Sequence, residues 1–313
     1  MYAVPVYIPL AIVSEPTSRC YSGTVTLTRK FDERDNIDTT SQITMYTTRT
    51  ESRHSAGNRS ATLRLELDLS EKILPQTKAA LDQMQARIKD VKPDQVQAVR
   101  GYMENFIKTP HARLDKKTGL MKVSYRVKTC RIDSAGGTYR SRTQGETTDH
   151  VGISAEWESN YSKQWSATGL DAKTSKRIEQ GHIRADIYYE PETGKILWVH
   201  IPQLDIDMRV TENSHGSYTR RTEHGYESTP KSSSDSKEET FQMTHGDSET
   251  APQGLPMSPV WQAKQSTALT ASGGVRNERP IDRQWSVDGN SGTRHKMLVE
   301  TFEWSINLSR ENR

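Results

Sequence analysis

The feature that most constrains the fold is a strict alternation of apolar and polar residues over positions 61–69. From position 63 onward every second residue is leucine, and Arg64, Glu66 and Asp68 lie between the leucines. Successive side chains of a β-strand point to opposite faces, so the leucines share one face and the charges share the other. This pattern predicts a half-buried strand of an antiparallel sheet, with one face in the core and the other in water.

Turn chemistry marks further β-structure. Glu-Pro-Glu-Thr-Gly at 190–194 separates two strand-like runs, 183–189 and 195–201, and predicts a hairpin whose glycine has a positive φ. Asp-Lys-Lys-Thr-Gly at 115–119 repeats this chemistry before a strand at 120–132. Further strands are predicted over residues 24–31, 42–50, 204–210 and 297–308.

The hydrophobic period changes after position 70. Leu81, Met84 and Ile88 recur at three- and four-residue steps, which is typical of a helix with one apolar face. Pro93 suits the first turn of a second helix, whose apolar positions include Val96. The sequence therefore predicts an α-helical hairpin inserted between the strands, with its apolar side chains packed in the core.

The predicted fold class is mainly β: antiparallel sheets built of hairpins, sandwich-like or as an extended meander, with this helical hairpin inserted. Residues 227–260 are rich in Ser, Thr, Glu, Gly and Pro. Such a segment has too little apolar surface to offset its ordering entropy, so a loop or linker is expected. The predicted regions are an N-terminal β region (1–70), the helical insertion (71–112), a central β-hairpin region (113–226), the linker (227–260) and a C-terminal region whose last strand completes the sheet (261–313).

The composition restricts the function classes. Only 32% of the 313 residues are hydrophobic, and the formal net charge is +3. Such a balanced charge does not predict a nucleic-acid partner, which would call for a basic face. No run approaches the roughly 20 apolar residues of a membrane helix. The apolar run at 3–13 is interpreted as a buried strand or arm, since it lacks the basic start of a signal peptide.

A short motif, Tyr-x-x-Arg-Thr followed by Glu or Gln, occurs three times. The copies are YTTRTE at 46–51, YRSRTQ at 139–144 and YTRRTE at 218–223. Because Tyr and Arg are three positions apart, a strand would place them on opposite faces. In the last two copies a glycine and then a small residue come directly before the tyrosine, and these two segments are interpreted as related hairpins. The first copy is a less similar version of the motif.

Two interpretations of the motif remain open. In the structural one, which we favour, Tyr packs on a neighbouring strand and Arg pairs with an acid. In the functional one, the copies present Tyr and Arg, residues that often anchor interfaces, to a partner. The candidate binding residues are Tyr46, Arg49, Tyr139, Arg142, Tyr218 and Arg221.

The two cysteines, Cys20 and Cys130, are too far apart in sequence to form a metal motif. In an oxidising compartment a disulfide between them would close a long loop and add about 4–5 kcal/mol in the chain-entropy model. In the cytosol they would be two buried thiols. The sequence gives no distance between them, so both alternatives stand.

Motifs for catalysis and cofactor binding are missing from the sequence. It contains no G-x-S-x-G, P-loop or dinucleotide-binding glycine pattern, and no cofactor is expected. Glu156 and Glu158 could act as paired acids, but a strand end explains them equally well. His200 with Asp205 and Asp207 is a weak metal candidate, because alternating carboxylates are common on a wet strand face.

These observations favour a non-enzymatic extracytoplasmic protein, secreted, periplasmic or on the cell surface. It would act through protein–protein or surface contacts as a structural or assembly subunit, with a protein partner or further copies of itself. The alternative is a carbohydrate-binding module or glycan-active enzyme that uses Trp157, Trp165 and Trp198.

Overall fold

The computed structural model describes residues 22–68, 112–114, 118–190, 193–244 and 260–309. Within these ranges the protein is one antiparallel β-sheet with a single short helix. Its elements are β1 (Ser22–Thr44), β2 (Thr47–Asp68), β3 (Ala112–Leu114), β4 (Met121–Asp149), β5 (Gly152–Leu170), α1 (Ala172–Glu179), β6 (Arg184–Tyr189), β7 (Ile196–His200), β8 (Asp205–Thr222), β9 (Gly225–Gln242), β10 (Val260–Gln262), β11 (Gln265–Ser266), β12 (Thr270–Val287) and β13 (Asn290–Ser309).

Eight strands are unusually long and form four hairpins. The hairpins are β1–β2, β4–β5, β8–β9 and β12–β13, each closed by a turn of two residues. The 23 residues of β1 span about 75 Å at roughly 3.3 Å per residue, whereas strands in globular proteins usually have about 3–10 residues. All four turns lie at one end of the sheet, which we call the tip; the opposite end is the base.

The long strands lie in the order β9-β8-β5-β4-β2-β1-β13-β12, and every neighbouring pair is antiparallel. The sheet branches at β4. On the side away from β2, residues 121–126 of β4 pair with β6, and residues 136–149 pair with β5. The branch through β6 continues to β7 and β10. The base is therefore two-layered, whereas the tip half is a single layer.

The hydrophobic core lies between the branches at the base. Val25, Leu27, Leu63 and Leu65 are fully buried and define the core face of the sheet; the other side is the outer face. The sheet curls over this face, so Phe31 of β1 meets Phe241 of β9 with ring centroids 5.8 Å apart. The core is thus confined to about half the length of the long strands.

Helix α1 closes the connection between β5 and β6. Asp171 caps its first turn, and its carboxylate accepts a hydrogen bond from the Thr174 amide at 2.9 Å. The buried Ile178 fixes the helix to the core. Gly181, with a φ of 67°, then turns the chain into β6. No helix in the described ranges has the length and apolar character needed to cross a membrane.

The structure confirms the β-rich fold class and the hairpin at 190–194. Gly194 has a φ of 67°, and its amide bonds to the Glu190 carbonyl at 2.9 Å, as the turn chemistry predicts. The hairpins all belong to one branched sheet. The predicted helical hairpin and the apolar run at 3–13 lie outside the described residues.

Two predicted elements were wrong. Residues 42–50 were predicted to form one strand, but a turn at 45–46 divides them between β1 and β2. Residues 227–242, predicted as part of a loop or linker, belong to β9. The turn at 45–46 was missed because Met45 and Tyr46 are not typical turn residues. Strand β9 was missed because its composition is typical of a loop, and it is stabilised by pairing with the neighbouring strand rather than by apolar burial. The remaining division into regions stays a prediction.

The core predicts a specific mutational cost at the base. Leu65→Ala removes a fully buried side chain and should lower the free energy of unfolding by about 2–5 kcal/mol. Urea unfolding followed by circular dichroism measures this change. Glu66→Ala, on the exposed outer face of the same strand, is the control and should change stability by about 0.5 kcal/mol or less. Equal effects of the two substitutions would contradict the assignment of faces.

Candidate docking edges

The two ends of the long-strand series are open edges. Among the described residues, β9 pairs only with β8, and β12 pairs with β13 and, at its base end, with β11. Each edge strand has 18 residues. An edge strand presents a row of backbone N–H and C=O groups that can accept another strand. These edges are the main candidate functional site.

Strand β9 is exposed over almost its whole length. The 14 residues from 225 to 238 are all exposed, and most are Ser, Thr, Lys or acidic residues. Beyond the backbone ladder, only polar contacts hold this part to β8, such as Arg220–Glu227 at 3.0 Å and Lys237–Glu212 at 2.9 Å. Pairs of this kind contribute about 1 kcal/mol or less each. A second neighbouring strand would therefore add much to its stability.

Proline marks both edges. Within the eight long strands, the prolines are Pro230 in β9 and Pro280 in β12. Proline has no N–H, so within a sheet it is confined to edge strands with its nitrogen turned away from the neighbour. The direction of the backbone N–H and C=O groups alternates along a strand. The even-numbered residues around Pro230 and Pro280 therefore direct these groups outward, which here means within the sheet plane and away from the paired strand.

Both edges are covered at the base by the chain itself. Arg29 donates a hydrogen bond to the Gln242 carbonyl at the end of β9. At the corresponding end of β12, the Lys264 amide donates to the Ser272 carbonyl at 2.9 Å. The open part of each edge thus runs from the middle of the strand to the tip.

The tip carries most of the exposed apolar side chains. Of the ten large hydrophobic residues that are exposed in the described ranges, eight lie within six positions of a tip turn. All four hairpins contribute to this set, which comprises Ile43, Met45, Tyr46, Val151, Ile153, Tyr218, Tyr226 and Val287. Their charged neighbours include both signs, so the tip has no single electrostatic character.

The core face changes from apolar to charged between base and tip. Arg29 is buried, bonds to Glu300 Oε1 at 2.6 Å and lies 4.6 Å from the Phe31 ring centroid. Arg59 lies 5.1 Å from the Phe241 ring centroid and 3.8 Å from Glu239. These guanidinium groups cover the edge of the hydrophobic core, because their planar, weakly hydrated faces stack on aromatic rings.

Nearer the tip, ion pairs line the core face. Arg294 donates to both carboxylate oxygens of the buried Asp35, at 2.9 and 2.6 Å, and these bonds hold the pKa of Asp35 below its usual value. Glu212 lies between Lys237 and Lys163, whose hydrogen bonds lower its pKa to about 2. This face keeps its charges paired across neighbouring strands.

Aromatic rings on the core face lie against glycines of the neighbouring strand. Gly145 faces Trp157, and Gly292 faces Trp285, each pair directly opposite in register. A Cβ atom on either glycine would overlap the facing indole ring. Glycine is required at these positions because the rings occupy the space of a side chain.

The three motif copies lie at different places in the sheet. The first begins in the β1–β2 turn and continues into β2, the second lies within β4, and the third lies at the end of β8. In the second copy Tyr139 is on the core face, 6.1 Å from Tyr161 between ring centroids. Arg142 is on the outer face and pairs with Glu158 at 3.0 Å. The opposite placement of Tyr and Arg follows the strand period, as predicted.

The first and third copies come together near Trp157. Arg49 lies 4.5 Å from a Trp157 ring centroid and pairs with Glu51 at 2.7 Å, and Tyr218 is the register partner of Trp157 on β8. Tyr46 and Arg221 lie at the tip: Tyr46 contacts the His150 ring at 5.9 Å, and Arg221 Nη1 donates to the Val151 carbonyl at 3.4 Å. A direct partner-binding role of the six motif residues stays a prediction.

The other candidate residues are dispersed. Trp165 bonds to Glu239 at 3.1 Å, and Trp198 is buried on β7, so they do not join Trp157 in one exposed aromatic platform. Burial raises the pKa of the Cys130 thiol to about 12. Cys20 lies outside the described residues, and the disulfide therefore stays a prediction.

Metal and acid candidates also have structural partners. The described part of the chain contains no group of three or more His, Cys, Asp or Glu residues placed to hold a metal ion. His200 lies 3.6 Å from Asp186, Asp205 accepts from Gln203 at 3.0 Å, and Glu158 pairs with Arg142.

A cavity of about 1030 Å³ is an open trough on the tip half, lined largely by polar residues of seven long strands.

Sequence reasoning missed the edges because it did not recognise β9. One available signal was the pair Pro230 and Pro280, since a proline inside a strand indicates an edge. The second was Lys231 and Lys237, since charged residues, lysine above all, protect natural sheet edges. Both signals become readable only once the segment is assigned as a strand.

Comparisons with known proteins give only distant matches. No protein-family model and no curated protein matches the chain. A chain of the Klebsiella pneumoniae type II secretion system outer membrane complex (PulD, PulS and PulC HR domain) is 10% identical with a TM-score of 0.19, over 94% of this chain and 41% of that one. The match spans less than half the length of that chain.

Two further solved structures match at a similar level. The translocator domain of the autotransporter NalP from Neisseria meningitidis is 8% identical, with a TM-score of 0.21 over 89% of this chain and 88% of that one. The type II secretin GspD from enteropathogenic Escherichia coli is 9% identical, with a TM-score of 0.19 over 94% and 70%. At these scores the likeness carries no argument about function.

The Asp35–Arg294 pair predicts an acid-sensitive contribution to stability. Since the folded-state pKa of Asp35 is below its unfolded value, the contribution is complete above about pH 4 and is lost as the pH falls through the folded-state pKa. Urea unfolding between pH 7 and pH 2.5 should show a smaller acid-dependent loss for Asp35→Asn than for wild type. Asp32→Asn, on the exposed outer face of β1, serves as the control and should follow the wild-type curve. Parallel curves for all three proteins would rule out this role of Asp35.

Proposed function

We propose that the protein is a non-enzymatic structural or assembly subunit that binds partner chains by adding strands to the open edges of its sheet. The observation that carries the proposal is the run of 14 exposed residues in β9 that is held by one neighbouring strand. Strand addition satisfies the free backbone groups of such an edge and gives affinity without an apolar patch.

The polar tip half supports the same function. Isolated hairpins are marginally stable in water, and this half has few buried apolar side chains. Further strands at both edges would extend the ladder and add cross-strand pairs on both faces. The Ser- and Thr-rich composition favours an extracytoplasmic site of action, secreted, periplasmic or at the cell surface.

Removing outward hydrogen-bond donors from β9 tests the proposal. The N–H groups of Ser232 and Ser234 point to the same side as the Pro230 nitrogen, because this direction repeats every second residue. The double variant Ser232→Pro/Ser234→Pro should therefore keep the β8–β9 ladder but lose partner strands. We expect sedimentation velocity to show assemblies or a co-purified partner for the wild type and at least a tenfold smaller assembled fraction for the variant.

The double variant Ser232→Ala/Ser234→Ala is the matched control, since it removes the same hydroxyls but keeps the donors. It should assemble like the wild type, and all three proteins should give the same far-UV circular dichroism. A wild type that stays monomeric and without a partner at all concentrations overturns the proposal. Quenching of tryptophan fluorescence by oligosaccharides in such a monomer would establish the carbohydrate-binding alternative.

A further inference from the structure

The two open edges are suited to each other. The long-strand series has eight members, and every neighbouring pair is antiparallel, so β9 and β12 run in opposite directions. If a second copy is placed beside the first in the same orientation, its β9 lies antiparallel to the first copy's β12. An odd number of strands would have made this junction parallel.

The register of the sheet also matches across such a junction. One row of directly paired residues runs through all eight strands from Ser286 in β12 to Ser228 in β9. Ser286 and Ser228 both lie on the outer face. Each is an even number of positions away from the proline of its own strand, so its backbone groups point in the same direction as those of the proline, away from the neighbouring strand. Residues that direct their backbone groups outward on one edge therefore meet residues that do the same on the other.

The charges of the edges are complementary. Strand β9 contains four acidic and two basic residues, whereas β12 contains three arginines and two acids. Arg276 and Glu238 are the two ends of one row of paired residues, so a junction in that register places them opposite each other. In the same register Lys231 lies opposite Arg283, and this is the one pair of like charges that face each other directly. Two copies of β9 facing each other would instead bring two acidic strands together.

We infer that the partner of the edge is a second copy of this chain, and that β12 of one copy pairs antiparallel with β9 of the next to form a continuous sheet. This inference rests on the proposed function and specifies its partner. The contact is head-to-tail, since two different surfaces of the chain meet. It covers the exposed Tyr226, Ile281 and Val287 of the two edge strands.

Engineered disulfides test the contact and its register. The double variant Ser228→Cys/Ser286→Cys places thiols at the two ends of one row, where paired Cα atoms of about 5.5 Å separation suit a disulfide. Ser228→Cys/Gln284→Cys and Ser232→Cys/Gln284→Cys test shifts of two residues in either direction. Mild oxidation and non-reducing electrophoresis should give a ladder of dimers and higher multimers for one of these three variants.

Single variants separate the head-to-tail contact from the alternatives. A mixture of Ser228→Cys and Ser286→Cys proteins should give dimers only, because each chain then carries one engineered thiol. Ser228→Cys/Val287→Cys places thiols on opposite faces and should not cross-link. The wild type gives the background from Cys20 and Cys130. Dimers of Ser228→Cys alone, or a disulfide within one chain, would overturn the inference.

The outcome also separates this inference from the proposed function. Assembly in sedimentation without cross-linking in any of the three registers would sink the head-to-tail contact and leave the subunit function standing. A monomeric, partner-free wild type would remove both.

Discussion

The structure depends on the cross-strand backbone ladder more than on its hydrophobic core. The buried leucines and aromatic residues occupy the base, yet β1 and β2 continue in register for more than a dozen residues beyond them. Each interior long strand pairs with neighbours on both sides over most of its length, which removes the cost of leaving those N–H and C=O groups unpaired. The tip half is therefore a hydrogen-bonded extension whose position is fixed by the base.

Paired charges allow this extension to grow out of the core. Arg29 and Arg59 form the transition, since each stacks on an aromatic ring and pairs with a carboxylate. The Arg29–Glu300 pair is the more buried of the two, and replacing Glu300 would leave the charge of Arg29 uncompensated, so this is a sensitive position even though the pair itself adds little net stability. Beyond them, Asp35–Arg294 and the Glu212 cluster continue the same arrangement in a wetter setting.

Much of the base could be predicted from the sequence. The leucine alternation at 61–69 and the turn at 190–194 are local signals whose physical cause lies within a few residues. The structure confirms the turn, and it confirms the alternation as far as Asp68, where the described part of the strand ends. Strand β9 could not be predicted, because its serine-rich composition is typical of loops; its Ser, Lys and Glu residues form a strand only because β8 supplies a template. The edges are a property of strand order, which no local pattern encodes.

In the tip half, the glycine–aromatic pairs restrict the residue type at a few positions. The small polar residues at the other positions can be replaced much more freely. Gly145 and Gly292 are fixed by the rings above them, whereas the first 14 residues of β9 are all exposed and none of them packs in the core. The ladder accepts nearly any side chain that tolerates an extended conformation. The amino-acid sequence of this half can therefore drift widely in evolution while the shape of the sheet persists.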